Sequence, residues 1–442
     1  MNTTSNNGRV CFNQRAICSK KDEYKAAGRK YNLAFKMVRS DNRLVRCILT
    51  GHGFQMVSSD CPAFNLMWTG SHLKPEAFHT LKWFQRVNHF PRSYELTQKD
   101  RLYRNIERMK RIRTSQWFNF IPEFYVLPVE FQKFKDTHFR TSKITWIAKP
   151  VGSSRGRGIF LVSNPDEIPL CDPMLVCKYI SNPFMFTGHK FDLRLYVAVT
   201  CFHPLTAYLY SEGLARFASE KYSNTHKRLD DVYKHLTNYS INKYSKLFKS
   251  VKEPSDPNSD SDGHKWSLSA LLATLVEQNL DTQLLMIRIE DLIVKTLISA
   301  QSAISAACSS HMSHFSNCFE IFGFDILLDE DAKPWLLEVN LSPSLSCDAP
   351  IDFKIKSKLV CDLLSLSAID LHNPETEIDS NKTTAGVNNT DNTVDNPSND
   401  VPKSSCNHDH IALHTKRLAH EWKQRGGFIR IYPTQSSWML YG

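Results

Sequence analysis

The stretch Phe319–Asn340, FEIFGFDILLDEDAKPWLLEVN, decides the fold. Two apolar runs flank a charged DEDAK turn, the pattern of a strand–turn–strand unit. Residues i and i+2 of a strand point the same way, so Glu338 and Asn340 share one face while Trp335, Leu337 and Val339 take the other. A hairpin turning about Asp331–Ala332 sets Asp325 opposite Glu338. Two acids facing each other across a ladder repel unless something cationic lies between them. Two carboxylates and an amide oxygen are the hard donors that Mg2+ prefers, with phosphate oxygens usually completing its shell. Asp325, Glu338 and Asn340 are therefore candidate metal ligands. A strand-end acid on a wet face is the plain alternative, and the apolar neighbours argue against it.

Upstream, ITWIAKP, GSSRGRG and IFLV read as a buried strand, a glycine-rich turn and the returning strand. Small residues at Gly152, Ser153, Ser154, Gly156 and Gly158 let backbone N–H groups approach a phosphate, and Lys149 and Arg155 supply charge. The loop lacks the G-x-x-x-x-G-K-[ST] pattern and no helix follows, so it is not a Walker loop. Alone it is equally a plain hairpin turn. MLVCKYI is another short apolar run. FDLRLYVAV alternates, with Asp192, Arg194 and Tyr196 on one face and Phe191, Leu193, Leu195 and Val197 on the other. The turn CFHPLT and the strand AYLYSEG complete a hairpin. The fold class expected is α/β.

Composition bounds the partners. The chain has 442 residues, 41% hydrophobic and 23% charged, which excludes a fully disordered protein. Lys+Arg 55 against Asp+Glu 45 gives +10, unevenly spread: residues 1–150 hold 27 basic and 11 acidic (+16), leaving 28 and 34 (−6). A basic front on a mildly acidic body suggests a polyanionic partner. No nucleic-acid reader motif accompanies it. Within that front, KDRLYRNIERMKRIR (Lys99–Arg113) places Leu102, Ile106 and Met109 on one face of a cationic helix. No secretory signal and no membrane span are expected. The 12 cysteines show no metal-like spacing, as expected of reduced thiols in a cytosol.

Further along, residues 253–264 read as an acidic polar loop. A helix follows from Ser267, and then a longer one has Ile289, Ile293, Leu297, Ala300, Ile304 and Ala307 on one stripe. Residues 371–410 are too polar to offset their ordering entropy and are expected to be disordered. The domain organisation expected is a flexible lead-in at 1–42 and a basic N-terminal lobe at 43–140. A central lobe at 141–190 and a C-terminal lobe at 191–370 follow, then the linker and a basic segment at 411–442.

A strand-borne lysine, a glycine flap, a hydrophobic hinge and late carboxylates follow the order of parts in ATP-grasp enzymes. More closely, the chain resembles the tubulin–tyrosine ligase-like family. The motifs are FNLMWTGS, HFPRSYELTQKDRLYRN, AKPVGSSRGRGI, VCKYISNPF, HKFDLRLYVAV, EGLARFASEKY, HLTNYSINK, FGFDILLDED, PWLLEVNLSPSLSCDAP and RGGFIRIYP. Together they cover about three quarters of the chain. SSRGRG, GHKW and NLSPSLSCDAP look most like the tubulin polyglutamylases.

The resemblance implies an ATP-grasp fold with N-terminal, central and C-terminal lobes and ATP held between antiparallel sheets. It implies that Lys149 contacts ATP phosphates and that Arg155 and Gly156 close over them. Cys177, Lys178, Tyr179 and Ile180 sit at the hinge that reads adenine. Lys190, Asp192, Thr237 and Asn238 match further nucleotide contacts, and Asp325, Glu338 and Asn340 the Mg2+ ligands. Arg216, Tyr239, Lys265 and Lys356 match positions that hold free L-glutamate. Each has a bland rival: Arg216 could pair with Glu212 or Glu220, Tyr239 could be a core aromatic, and Lys356 could lie on a solvated helix. Cys177 replaces a common glutamine, Leu341 stands where some members carry His, and Arg92 replaces a usual glycine.

The implied activity is ATP-dependent ligation of L-glutamate onto glutamate side chains of tubulin C-terminal tails through an acyl phosphate. Alternatives are glycine or tyrosine as the added amino acid, a non-tubulin acidic acceptor, or a catalytically silent microtubule-binding protein. The expected setting is a monomer in the cytoplasm at the cytoskeleton, including the cilium or basal body, with neither nucleic acid nor membrane as partner.

Overall fold

The computed structural model describes residues 8–19, 21–113, 116–141, 144–223, 231–248, 263–376 and 406–441. Its strands, numbered β1 to β16 in chain order, form three sheets. The first contains β1 (Ala34–Val38), β2 (Gln55–Met56), β3 (Leu66–Thr69) and β4 (Arg86–Val87), all parallel, in the order β2-β1-β3-β4. No parallel sheet was expected there. Strands of two to five residues carry too little alternation to stand out from the helical pattern around them. The lead-in is also less loose than expected. β1 lies inside it, Val10 and Phe12 are buried, and the Val10 N–H donates to the Ile369 carbonyl at 2.9 Å.

The second sheet is antiparallel, in the order β5-β8-β6-β7. The expected hairpin is β6 (Trp146–Pro150) with β7 (Phe160–Val162), and MLVCK forms β8 (Met174–Lys178). The fourth strand, β5 (Phe124–Leu127), comes from the stretch assigned to the basic front lobe. It pairs with β8, Phe124 opposite Cys177, so this sheet begins earlier than 141. Tyr125, Phe134, Trp146 and Val176 fill its small core.

The third sheet is built on β10 (His189–Phe202), which pairs antiparallel with β9 (Met185–Phe186), β11 (Leu205–Tyr210), β12 (Leu214–Phe217) and β14 (Glu320–Leu328). Beyond these lie β13 (Lys265–Ser267) on β12, β15 (Pro334–Asn340) on β14, and β16 (Phe428–Tyr432) on β11. The basic C-terminal segment thus enters this sheet. Both faces are covered. Leu193, Leu195 and Val197 pack with Ile289, Ile293 and Leu297 of the helix Thr282–His311. Tyr196 and Ala198 pack with Leu359 and Leu363 of the helix Pro350–Leu366.

The expected apolar stripe on Thr282–His311 is buried from Ile289 to Ala307. By length and composition alone this helix could cross a membrane, against the expectation of no span, but 56% of its most apolar window is buried. It packs against the helix Lys99–Arg113, whose Leu102 and Ile106 are buried as the periodicity predicts. The acidic loop 253–264 and the linker 371–410 lie mostly outside the described residues.

β14 and β15 pair with Asp325 opposite Glu338, as the hairpin symmetry requires. Asp329 sets the turn: its carboxylate accepts from the Asp331 and Lys333 N–H groups and from Trp335 Nε1, at 2.7–3.1 Å. Strict alternation along β15 fails, however. Asp325 faces Glu338 while Ile326 faces Leu336, so Leu337 is an extra residue in a β-bulge. The bulge buries Leu336 and Val339 and puts Leu337 and Glu338 side by side on one cavity wall.

Candidate functional site

Two adjoining cavities lie beside the Asp325–Glu338 pair. The first is lined by Lys149, Arg155, Gly156, Cys177, Lys178, Tyr179, Ile180, Lys190, Asp192, Thr237 and Asn238, together with Asp325 and Glu338. Every residue expected to contact nucleotide therefore falls on one wall or another of a single space. The second, of about 1060 Å³, is lined by Arg216, Tyr239, Lys265, Lys356 and Asn340 among others. Ser154, Arg155, Asn238 and Glu338 line both, so the flap and the carboxylate stand at the junction.

Strand register builds the charge network. Arg194 on β10 lies opposite Asp325, and Asp192 lies opposite Arg216 on β12. Arg194 donates to Asp325 from Nε at 2.6 Å and Nη2 at 3.0 Å. Arg216 grips Asp192 with two bonds of 2.7 Å and reaches Asp325 from Nη2 at 2.8 Å. The Thr237 hydroxyl adds a 2.5 Å bond to Asp192. Arg216 thus pairs with two strand carboxylates, not with Glu212 or Glu220. Burial pushes the Asp325 carboxyl up, but the Arg194 and Arg216 charges outweigh it and hold the group well below the usual carboxylate range. Arg216 Nη1 makes no hydrogen bond among the described residues, so it keeps donors for a further anion.

Glu338 has its own cation. Lys99, at the start of the basic helix, is 3.3 Å from the Glu338 carboxylate and donates to the flap carbonyl of Ser153 at 3.0 Å. Sequence reading placed Lys99 only on a charged helix face. Its link to the flap depends on tertiary packing and leaves no local signal. Arg194 was read only as a face-mate of Asp192, because its contact needs the β10–β14 register.

In the flap, Arg155 and Gly156 have φ of +61° and +75°, the left-handed region that favours glycine. A Cβ on Gly156 would stand 2.5 Å from Ile241 and 2.9 Å from the Asn238 side-chain oxygen. The Ser240 hydroxyl also donates to the Arg155 carbonyl at 2.8 Å. Gly156→Ala is therefore expected to push the flap off Asn238 and weaken nucleotide binding about tenfold or more, read by equilibrium titration. Unchanged affinity would mean that the flap plays no part in binding. Arg92 has φ +60° as well, which explains why a glycine is usual there; its guanidinium is held by Glu95 at 2.8 Å.

The second cavity is cationic around one buried acid. Lys265 and Lys356 each approach the Asp352 carboxylate at 2.8 Å. Burial opposes ionisation of Asp352, but the two lysines outweigh it and lower its carboxyl. Lys356 is buried, not on a solvated face, and also donates to the Ser346 carbonyl at 2.7 Å. The Lys265 ammonium lies 4.5 Å from the centre of the half-buried Tyr239 ring. Among the described residues no group of three His, Cys, Asp or Glu could hold a metal. The expected third ligand is an amide, Asn340, whose nitrogen is occupied by the Gly323 carbonyl at 3.2 Å, leaving its oxygen as the available donor.

The sequence model of the tubulin-tyrosine ligase family matches residues 78–377. The chain belongs to the tubulin-tyrosine ligase family. Tubulin polyglutamylase TTLL5 of Mus musculus is 43% identical over 459 residues, which is 98% of this chain and 34% of that protein. Tubulin polyglutamylase ttll-5 of Caenorhabditis elegans is 47% identical over 363 residues, 79% of this chain and 49% of that protein. Human tubulin monoglutamylase TTLL4 is 40% identical over 314 residues, 70% of this chain and 26% of that protein. The chain thus spans about a third of the length of the first of these relatives.

Proposed function

We propose that the chain is an ATP-dependent ligase that joins free L-glutamate to glutamate side chains of tubulin C-terminal tails. The observation that carries the reading is the junction of the two cavities at Arg155, Asn238 and Glu338. A nucleotide in the first, between the second and third sheets, presents its terminal phosphate where the second cavity begins. Arg216, Lys265 and Lys356, with Tyr239 beside them, suit a dicarboxylate through charge-assisted bonds. The names of the similar glutamylases support glutamate over glycine or tyrosine.

In this reading the acceptor carboxylate attacks the γ-phosphate and ADP leaves; the amine of free glutamate then attacks the acyl carbon, and inorganic phosphate and the amine proton depart. The protein positions the three reactants and offsets their charge. Lys149 and Lys190 neutralise phosphates, Arg155 and Lys99 hold the flap near Glu338, and Arg194 and Arg216 keep Asp325 ionised. The site suits Mg2+. Asp325 accepts three N–H bonds, Glu338 is partly open to the cavity, and Asn340 offers an amide oxygen, an all-oxygen set of the kind Mg2+ takes. Bound there, Mg2+ would supply charge that eases the approach of an acidic acceptor to ATP.

Partner and place follow from charge. Arg104 and Arg111 are exposed on the helix Lys99–Arg113 and suit the glutamate-rich tails of microtubules. The reading places the protein at the cytoskeleton, including the cilium or basal body. Reversing Arg104 and Arg111 to Glu is expected to weaken microtubule co-sedimentation several-fold at low salt, with the difference shrinking as salt rises. Equal binding by both forms would remove this helix from the interface. The function itself is tested by ADP release and tubulin mass gain with glutamate, glycine and tyrosine in turn. Gain with glutamate alone supports the reading, and gain with glycine or tyrosine replaces it.

A further inference from the structure

Lys190 is buried at the back of the first cavity. Among the described residues its ammonium makes one hydrogen bond, to the Tyr179 hydroxyl at 3.0 Å. That hydroxyl stands 3.0 Å from Nδ1 of His235, which is itself buried. The nearest acid along β10, Asp192, is already held by Arg216 and Thr237. Tyr179 directly follows β8, Lys190 sits on β10, and His235 ends the short helix Val232–His235, two residues before Thr237. Two hydrogen bonds therefore join three segments that each line the nucleotide cavity.

The chemistry gives this chain a direction. An ammonium only donates, so the phenol oxygen accepts from Lys190 and its own proton goes to His235 Nδ1. That nitrogen must then be unprotonated. A proton on Nδ1 would turn a second N–H toward the phenol oxygen and add positive charge beside Lys190.

We propose that Tyr179 and His235 form a positioning relay that holds the Lys190 ammonium, charged, toward the phosphates of the bound nucleotide. The proposal rests on reading the first cavity as the ATP site. The groups facing the relay are Lys149 from β6, Asp192 on the same strand, and Tyr222, whose ring centre is 6.0 Å from the ammonium and 5.6 Å from the His235 ring and whose hydroxyl, donating to the Ser181 carbonyl at 2.7 Å, also stands beside the Tyr179 phenol. Burial first, then the Lys149 charge, lower the Lys190 pKa to about 7, with Asp192 offsetting part of the drop. The hydrogen bond from Tyr179 favours the charged form, so losing it lowers the pKa further. Free-chain affinity for ATP is then expected to fall above neutrality, as Lys190 loses its proton.

The test is equilibrium binding of ATP to the full chain from about pH 6 to pH 9, which needs no ligase turnover. Tyr179→Phe is expected to weaken binding about tenfold at neutral pH and to move the alkaline limb lower. His235→Leu is expected to weaken it less. His235→Asn, whose side-chain oxygen can replace Nδ1 as acceptor, is expected to recover affinity. Melting curves establish that each variant is folded, and a merely structural role would shift those curves while leaving the alkaline limb in place. Wild-type affinity and alkaline limb in Tyr179→Phe, or wild-type affinity in His235→Leu, would overturn the relay. A wild-type chain that binds no ATP overturns the ATP site and the relay together; one that binds ATP just as Tyr179→Phe does overturns the relay alone.

Discussion

Glu338→Gln is expected to stop ATP-dependent glutamate ligation almost completely, with kcat falling at least about 100-fold. The substitution keeps the shape of the side chain and removes its charge. Glu338 stands where both cavities meet, beside Asp325 across the ladder and 3.3 Å from Lys99. Without its carboxylate the metal set has one acid and one amide, and Lys99 loses the anion that draws it and the flap inward. Fold stability should change little, because Glu338 is partly exposed and its ion pair is a single long contact. ADP release and tubulin mass gain measure the effect. A variant that adds glutamate at the wild-type rate would show that this hairpin is not the catalytic element.

The second large effect is on stability. Arg216→Met is expected to cost about 3–5 kcal/mol in chemical denaturation, because it leaves buried carboxylates without their shared guanidinium. Among the described residues, Asp192 would keep only Thr237, and Asp325 only Arg194. Neutralising Asp192 as well, in Asp192→Asn with Arg216→Met, should recover part of the loss. The pH dependence has a definite sign. Asp325 binds its proton more weakly folded than unfolded. Its contribution is therefore complete above the unfolded carboxylate value of about 4 and is lost as pH falls through the folded value. Arg216→Met should flatten that acid limb. Wild-type stability in the variant would mean that the network does not hold the third sheet together.

Much of the site was legible because it rests on short-range rules. Period-two alternation and hairpin symmetry were enough to set Asp325 against Glu338, while glycine spacing marked a turn that only the family resemblance reads as a flap. What escaped depends on contacts distant in sequence. Protein cations also serve the two acids, Arg194 and Arg216 on Asp325 and Lys99 on Glu338, all contributed by other elements. The bulge at Leu337 adds one residue to one strand, which no alternation count reveals. The parallel sheet of β1 to β4 was hidden because its strands are too short to show a period. The solvated-helix alternative for Lys356 came from its charged neighbours, yet Asp352, one helical turn before it, brings it inside.

The charge asymmetry has also acquired an address. Part of the basic front enters the site itself through Lys99, while Arg104 and Arg111 stay on the surface. The central claim is that two adjoining cavities bring ATP and glutamate together on an acidic protein tail. Tandem mass spectrometry of tubulin tails, after incubation with the chain, ATP and L-glutamate, tests it most directly. The expected result is added glutamyl residues on glutamate side chains, only when ATP is present and absent with Glu338→Gln. Unmodified tails, or additions that persist without ATP, would contradict it.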